Sequence, residues 1–140
     1  MKTLITDIYK SARSLPLWVQ IWVFFILVPV NLAGLLFWSD PIGRWIGVLG
    51  AVGMIPNVVL MIVDRGFTDR MAVAHLLPWT LLVIILIYLL LTQPIVSGTA
   101  LWYLVWVVLI VDTISLIFDY KDSYALYRRY KSKKTTPLVN

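Results

Sequence analysis

Long apolar stretches without a formal charge are the first pattern in this chain. Residues 14–39, 45–63 and 71–111 contain no Lys, Arg, Asp or Glu. A helix needs about 20 apolar residues to cross a hydrocarbon core of about 30 Å, so each stretch can hold a transmembrane helix. The third stretch is about twice that length and has to turn back on itself. The pattern therefore predicts four spans, at about 17–38, 44–63, 72–91 and 101–118.

The connectors between these spans are short and rich in turn-forming residues. They comprise residues 39–41, 64–70 and 93–99. Short connections place neighbouring helices antiparallel. We therefore expect an all-α membrane protein with four transmembrane helices in an up-down bundle, forming a single domain over residues 1–140. The flanking segments, 1–16 and 119–140, are then interfacial segments on the cytoplasmic side.

Both flanking segments have the pattern of helices that lie at a membrane surface. Apolar side chains from Leu4 to Leu15 recur at helical spacing, opposite Lys10 and Arg13, which predicts an N-terminal amphipathic helix. After Phe118, tyrosines follow every three or four residues, which predicts a basic, tyrosine-rich C-terminal helix. An ordinary basic stop-transfer tail is the alternative. The side chains expected to contact anionic lipid headgroups are Arg128, Arg129, Lys131, Lys133 and Lys134.

Composition and charge exclude a soluble monomer and indicate an orientation. The chain is 61% hydrophobic, above the roughly 45–50% of soluble domains, and its mean hydropathy is +0.88. With both termini and residues 64–70 in the cytoplasm, every basic residue except Arg44 lies on that side, which the positive-inside rule favours. This topology accounts for the basic charge, so we expect no nucleic-acid partner. The first apolar stretch is too long for a signal peptide, and we interpret it as a retained span.

Four glycines mark one face of the second span. Gly43, Gly47, Gly50 and Gly53 follow at spacings of four, three and three, so they share a side of the helix. Small residues at this spacing let two helix backbones approach closely in a membrane. The face is interpreted either as packing within the chain's own bundle or as contact with a second copy or another membrane protein.

An acidic residue inside the fourth span is the main candidate for chemistry. Asp112, Ser115, Asp119 and Asp122 form one polar stripe at spacings of three, four and three. A carboxylate in a span costs roughly 2.5–3.5 kcal/mol, so Asp112 is expected to face the bundle interior. Three roles remain open for it. The first is functional, the second is a structural hydrogen bond to Asn57, and the third is a carboxylate that reaches the lipid headgroups.

The remaining polar side chains of the spans predict a one-sided cavity. At about 1.5 Å per residue, Asn57 and Asp112 lie at one depth, with Gln20 and His75 nearer the cytoplasm. Asn31 is expected alone in the outer half. We predict a polar vestibule that opens to the cytoplasm. The intramembrane polar residues are Gln20, Asn31, Asn57, His75, Asp112 and Ser115.

Catalytic and cofactor chemistry has little support in this sequence. The chain has no cysteine, and it contains no nucleotide-binding or hydrolase motif, so we expect no enzyme and no cofactor. His75 is expected to be a hydrogen-bonded interfacial residue. We expect no metal site, because metal or haem ligation would need partners from a second subunit.

Two functional hypotheses follow from these features. The first is a non-catalytic helix-packing or partner-binding module that assembles with itself or with a larger membrane complex. The second is an oligomeric proton- or cation-coupled transporter or channel that uses Asp112. They differ in whether polar residues reach both membrane surfaces.

Several strings resemble a known group of proteins. They are WVQIWVFFILVPVNLAGLLF from residue 18, GMIPNVVLMIVDRGF from 53, HLLPWTLLVI from 75 and ISLIFDYKD from 114. They look like the small four-span inner-membrane proteins of proteobacteria. The resemblance spans Trp18 to Asp122 and implies four helices in a bacterial inner membrane. It implies no activity.

Overall fold

Helices joined by short turns and loops make up the described part of the chain. The computed structural model describes residues 2–92 and 95–135, and the side chains of residues 3–92 and 95–132. The helices are α1 (Lys2–Ser14), α2 (Leu17–Phe37), α3 (Pro41–Val63), α4 (Met71–Ala74), α5 (Leu76–Thr92) and α6 (Ala100–Thr135). Residues 2–92 and 95–135 contain no β-strand.

Three helices are long and apolar enough to cross a membrane. They are α2, α3 and the part of α6 from Ala100 to Ser132. The apolar helix α5 is shorter, with 17 residues, which corresponds to about 25 Å. The protein is therefore a helical membrane protein, and α5 is near the lower length limit for a span.

A proline gives α2 its irregular geometry. The helix is α-helical over Leu17–Ile21, π-helical over Trp22–Leu27, α-helical over Val28–Ala33 and 3₁₀ over Gly34–Phe37. Pro29 has no N–H and its ring crowds the carbonyl of Phe25, so regular α-helical hydrogen bonding cannot continue there. The N–H of Val28 instead reaches the carbonyl of Val23, five residues earlier. The π segment widens the helix just before Asn31.

Two clusters of buried apolar residues hold the bundle together. The end of the bundle that holds α1 and residues 64–70 is called the α1 end here, and the opposite end is called the far end. One cluster lies toward the far end and contains Ile42, Ile46, Leu49, Leu82, Leu86, Val105 and Val108. The other lies toward the α1 end and contains Leu27, Trp79, Val111 and Leu116. Large apolar side chains elsewhere on the spans are exposed, as a lipid-facing surface requires.

The glycine face of α3 packs against the same chain. All four of its glycines are buried. A Cβ at Gly43 would overlap the carbonyl of Phe37, and one at Gly50 would lie 2.7 Å from the carbonyl oxygen of Asn31. A Cβ at Gly53 would overlap the Trp79 indole. Because α2 and α5 already cover this face, a second copy could reach it only if the bundle came apart.

The amphipathic helix α1 is attached to the turn between α3 and α4. The side chains of Asp7 and Arg65 form an exposed ion pair at 3.3 Å. The Ser11 hydroxyl accepts a hydrogen bond from the N–H of Phe67 at 2.9 Å. A Cβ at Gly66 would lie 2.5 Å from Ser11 Oγ, so the absence of a side chain there permits this close contact.

Two helix boundaries differ from the sequence-based prediction. The predicted third span at 72–91 is interrupted at His75, which ends α4 with φ −106° and ψ 0°. The predicted fourth span at 101–118 continues without a break to Thr135. The tyrosine-rich segment is therefore an extension of the span helix rather than a separate helix. The side chains of Lys133 and Lys134 lie outside the described residues.

Candidate functional site

His75 is held between two helices by hydrogen bonds on both ring nitrogens. Asn57 Nδ2 lies 2.7 Å from His75 Nδ1, and Asp119 Oδ2 lies 2.6 Å from His75 Nε2. An amide nitrogen can only donate, so His75 Nδ1 accepts a hydrogen bond from Asn57. His75 Nε2 then carries the ring hydrogen and donates a hydrogen bond to Asp119. The imidazole also packs on Trp79, with ring centroids 4.1 Å apart. These contacts fix the orientation of the ring between α3 and α6.

A second polar pair lies deeper in the bundle. Asn31 Nδ2 donates to Asp112 Oδ1 at 2.8 Å and to the carbonyl of Leu27 at 3.2 Å. Both Asn31 and Asp112 are fully buried. Among the described side chains, Asp112 forms no ion pair. The pair thus joins α2 to α6 through an interior hydrogen bond to an acid that has no basic partner.

Ser115 lies between these two polar groups. It is one helical turn from Asp112 on α6, and its Oγ accepts a hydrogen bond from Trp22 Nε1 at 3.1 Å. Trp22 is the first residue of the π segment. Ser115 is 4% exposed and contributes to a cavity wall, so the α6 stripe runs from an open cavity into the core.

The cavity, called the vestibule from here on, lies at the α1 end and has a volume of about 330 Å³. Its polar lining consists of Asn57, Thr68, Asp69, His75, Ser115, Asp119 and Asp122. The apolar part of the wall contains four aromatic side chains, Trp18, Trp22, Phe67 and Phe118, and six aliphatic ones, Leu15, Val19, Val23, Leu27, Met71 and Ala72. Of its carboxylates, Asp119 bonds His75, Asp69 pairs with Arg129 at 2.9 Å, and Asp122 is exposed. The vestibule therefore combines an apolar, partly aromatic wall with acidic side chains.

The predicted polar cluster is only partly brought together. Asn57, His75 and Ser115 line the vestibule, whereas Asp112 and Asn31 lie behind its wall. The prediction that Gln20 shares this cavity was wrong, because its amide donates to the carbonyl of Leu15 at 2.8 Å and Gln20 is not part of the lining.

The predicted partner of Asp112 was also wrong. Asn31, which was expected to be isolated, bonds Asp112, and Asn57 bonds His75. A constant rise per residue from the predicted span ends places Asn57, rather than Asn31, level with Asp112. The Pro29–Asn31 segment was the available signal, since a proline kink permits an inward polar side chain.

Trp22, Trp79 and Asp119 are site residues that the sequence analysis did not place there. Asp119 belonged to the predicted stripe, and its position one turn beyond Ser115 was the signal for a vestibule ligand. Gly53 was the signal for Trp79, since only a residue without a side chain leaves room for the indole against α3. No sequence signal identified Trp22, because its position depends on the π segment.

The metal-ligating side chains of the described residues do not form a cluster. Among them, no group of three or more His, Asp or Glu side chains could hold a metal ion. The His75–Asp119 pair has no nucleophile bonded to it in the described part. In comparisons with known proteins, no family model, curated protein or solved structure matches this chain.

Proposed function

We propose that the protein is a non-catalytic membrane module whose vestibule binds a cationic group. The observation that carries this proposal is the lining itself, in which Asp119 and Asp122 form no ion pair with a described Lys or Arg and lie together with four aromatic rings, while the third carboxylate, Asp69, is paired with Arg129. Carboxylates attract a cation through charge, and aromatic faces attract it through their quadrupoles. A partly apolar wall also reduces screening by water, which strengthens both attractions.

The cation has two chemically similar sources. It is either the Lys or Arg side chain of a partner membrane protein or a small organic amine or guanidine. The volume of about 330 Å³ is at the lower end of ligand pockets and suits one such group. Because the glycine face is covered by the chain itself, the vestibule and its rim are the surface offered to a second copy or a larger complex.

Asp119 is the residue with which to test vestibule binding. An Asp119→Asn variant keeps an oxygen that can accept from His75 but removes the charge. We expect its affinity for benzylammonium or benzylguanidinium to fall about tenfold, which corresponds to 1.4 kcal/mol. Calorimetric titration in lipid nanodiscs measures this loss. Asp7→Asn on α1 is the matched control, since Asp7 lies outside the vestibule.

Equal affinities of Asp119→Asn, Asp7→Asn and the unmodified protein would contradict cation binding in the vestibule. A photo-crosslinking residue in place of Phe118 separates the two sources of the cation in native membranes. A partner side chain gives a cross-linked protein that excess benzylguanidinium displaces. A small ligand gives the calorimetric signal without a displaceable cross-link.

The proposed topology has four spans in a bacterial inner membrane, with both termini on the cytoplasmic side. It is supported by the distribution of basic residues, by the apolar character of α5, and by the likeness of the apolar strings to the proteobacterial group. The α6 extension then carries Arg128, Arg129 and Lys131 at the anionic headgroup surface, together with Arg129's ion pair to Asp69.

Reporter fusions test this topology directly. A cytoplasm-active reporter fused after Asn140 is expected to be active, and a periplasm-active reporter inserted within residues 93–99 is expected to be active as well. Both expectations follow from the positive-inside rule applied to an even number of spans. An active periplasmic reporter after Asn140 would show that α5 does not cross or that the orientation is inverted.

Coupled transport through Asp112 is the second candidate. In its favour, Asp112 is a buried acid one turn from the vestibule. Against it, the described interior between Asn31 and the far end is filled by apolar side chains, including Ile42, Ile46 and Val105. A single chain thus offers polar groups over part of the membrane depth, which favours binding over passage.

A further inference from the structure

Three buried polar atoms at the centre of the bundle have no hydrogen-bond partner among the described residues. They are Asp112 Oδ2, Asn31 Oδ1 and Trp79 Nε1. The three side chains are at most 1% exposed. Leaving such atoms unpartnered is costly in an apolar interior, so each needs a hydrogen-bonding guest.

The packing brings the Asn31 amide and the Trp79 indole against neighbouring turns of α3. Gly50 and Gly53 lie one turn apart on this helix. A Cβ at Gly50 would be 3.0 Å from Asn31 Oδ1, and one at Gly53 would overlap Trp79 Nε1. Asp112 is held beside Gly50 by its hydrogen bond to Asn31 Nδ2 at 2.8 Å. The acid, the amide and the indole therefore border the same two turns of α3.

The hydrogen-bonding capacities of the three atoms match a single water molecule. Asn31 Nδ2 donates both of its hydrogens, one to Asp112 Oδ1 and one to the carbonyl of Leu27. Its amide oxygen, Oδ1, can only accept. Trp79 Nε1 can only donate. The oxygen of one water molecule can accept a hydrogen bond from Trp79 Nε1, and its two hydrogens can be donated to Asp112 Oδ2 and Asn31 Oδ1. Buried waters typically make about three such bonds.

We propose that Asp112, Asn31 and Trp79 hold an internal water, and that Asp112 exchanges a proton with the vestibule through it. The vestibule reaches Ser115, which is one helical turn from Asp112, so a proton has to pass about one helical turn between the vestibule and the acid. A proton that arrives as hydronium moves to Asp112 Oδ2, which leaves a neutral acid and a water. The reverse step returns the proton. This adds a proton-binding site to the proposed cation site.

The surroundings of Asp112 favour a proton over a metal ion as its counter-charge. A hard cation such as Ca²⁺ takes about six or more oxygen ligands, whereas Asp112 Oδ2 and Asn31 Oδ1 are the two free side-chain oxygens described beside this acid. The indole N–H at the same place would also repel a cation. Asn31 on α2, the glycines of α3 and Trp79 on α5 present no charge. The titratable pair His75–Asp119 lies on the vestibule side of Asp112.

Infrared difference spectroscopy of the full chain in lipid nanodiscs tests this proposal. The carbonyl band of a protonated carboxylic acid is separate from amide and carboxylate bands. We expect a band that changes with pH, shifts on transfer to D₂O faster than the core amides exchange, and is absent in Asp112→Asn. Trp79→Phe removes the water's donor while keeping an aromatic ring, and is expected to shift this band. Trp106→Phe, at a partly lipid-exposed position, is expected to leave it unchanged.

Each alternative outcome overturns a stated part of the proposal. An Asp112 band that never changes with pH excludes proton exchange, and a band that responds to Na⁺ but not to pH indicates a metal ion instead. Equal spectra for Trp79→Phe and Trp106→Phe exclude the water. Benzylammonium affinity, measured on the same samples, reports the vestibule separately, so that either site can fail alone. Circular dichroism of each variant confirms that the bundle is folded.

Discussion

Gly50→Ala is expected to destabilise the bundle by about 1–3 kcal/mol, the usual cost of overpacking a tight interior, and Gly50→Leu by more. The new Cβ would lie 2.7 Å from the carbonyl oxygen of Asn31, which is backbone and cannot rotate away. Helix α3 would have to separate from α2. Unfolding in mixed detergent micelles, followed by circular dichroism, measures the loss.

Two comparisons sharpen this prediction. At Gly47 the nearest atom to a new Cβ is Leu35 Cδ2, at 2.8 Å, which a side-chain rotation can move. Gly47→Ala should therefore cost less than Gly50→Ala. Val59→Leu is the control, because Val59 is 53% exposed on the lipid-facing side. Equal tolerance of all three changes would show that α3 does not pack closely through its glycines.

The oligomeric state of the Gly50 variants separates the two interpretations of the glycine face. If the face packs within the chain, Gly50→Ala lowers the stability of the monomer. If it packs against a second copy, the variant dissociates while the monomer keeps its stability. Native mass spectrometry alongside the unfolding measurement distinguishes these results. The structure leads us to expect the first.

The apolar core of the fold was predictable from the sequence. Charge-free stretches locate α2 and α3, because a charged side chain in hydrocarbon is costly and therefore marks a boundary. Gly43, Gly47, Gly50 and Gly53 predicted close helix packing because their spacing alone places them on one side of a helix. The three-four spacing of α6 likewise predicted that Asp112 and Ser115 share a face.

Helix ends and side-chain pairings were not predictable in the same way. The α6 helix continues past Phe118 because residues 119–135 contain neither Gly nor Pro, the two residues that most disfavour a helix interior. The break at His75 precedes Pro78, which has no N–H to bond the carbonyl of Ala74. The bonds of His75 to Asn57 and Asp119 join separate helices, so spacing along one helix cannot show them.

The Asn31–Asp112 pair shows why such contacts escape sequence analysis. A π segment precedes Asn31 on the same helix, and such a segment changes the direction and register of the residues that follow. Counting at a constant rise per residue assumes a regular helix. Such counting therefore predicts Asn57 as the partner of Asp112 and places Asn31, which bonds Asp112, in the opposite half of the membrane.

Asn31→Leu is expected to destabilise the bundle by about 1–3 kcal/mol, the cost of leaving a buried polar group without its partner. Asp112 would lose the bond to Asn31 Nδ2, which is the hydrogen bond that the structure gives it. Asp112→Asn is expected to be tolerated, because an amide at this position still offers an oxygen to Asn31. The same micelle unfolding assay measures both changes.

A double-mutant cycle assigns the partner of Asp112 without reference to absolute stabilities. Alanine substitutions at positions 31 and 112 are expected to show a coupling of about 0.6–1.7 kcal/mol, which lies between the average and the maximum measured for hydrogen bonds between membrane helices. Substitutions at positions 57 and 112 are expected to add within about 0.5 kcal/mol, because Asn57 bonds His75 instead. Strong coupling of Asp112 to Asn57 and none to Asn31 would reverse this assignment. It would also remove the internal water site, since Asn31 Oδ1 would then have no fixed place beside the acid.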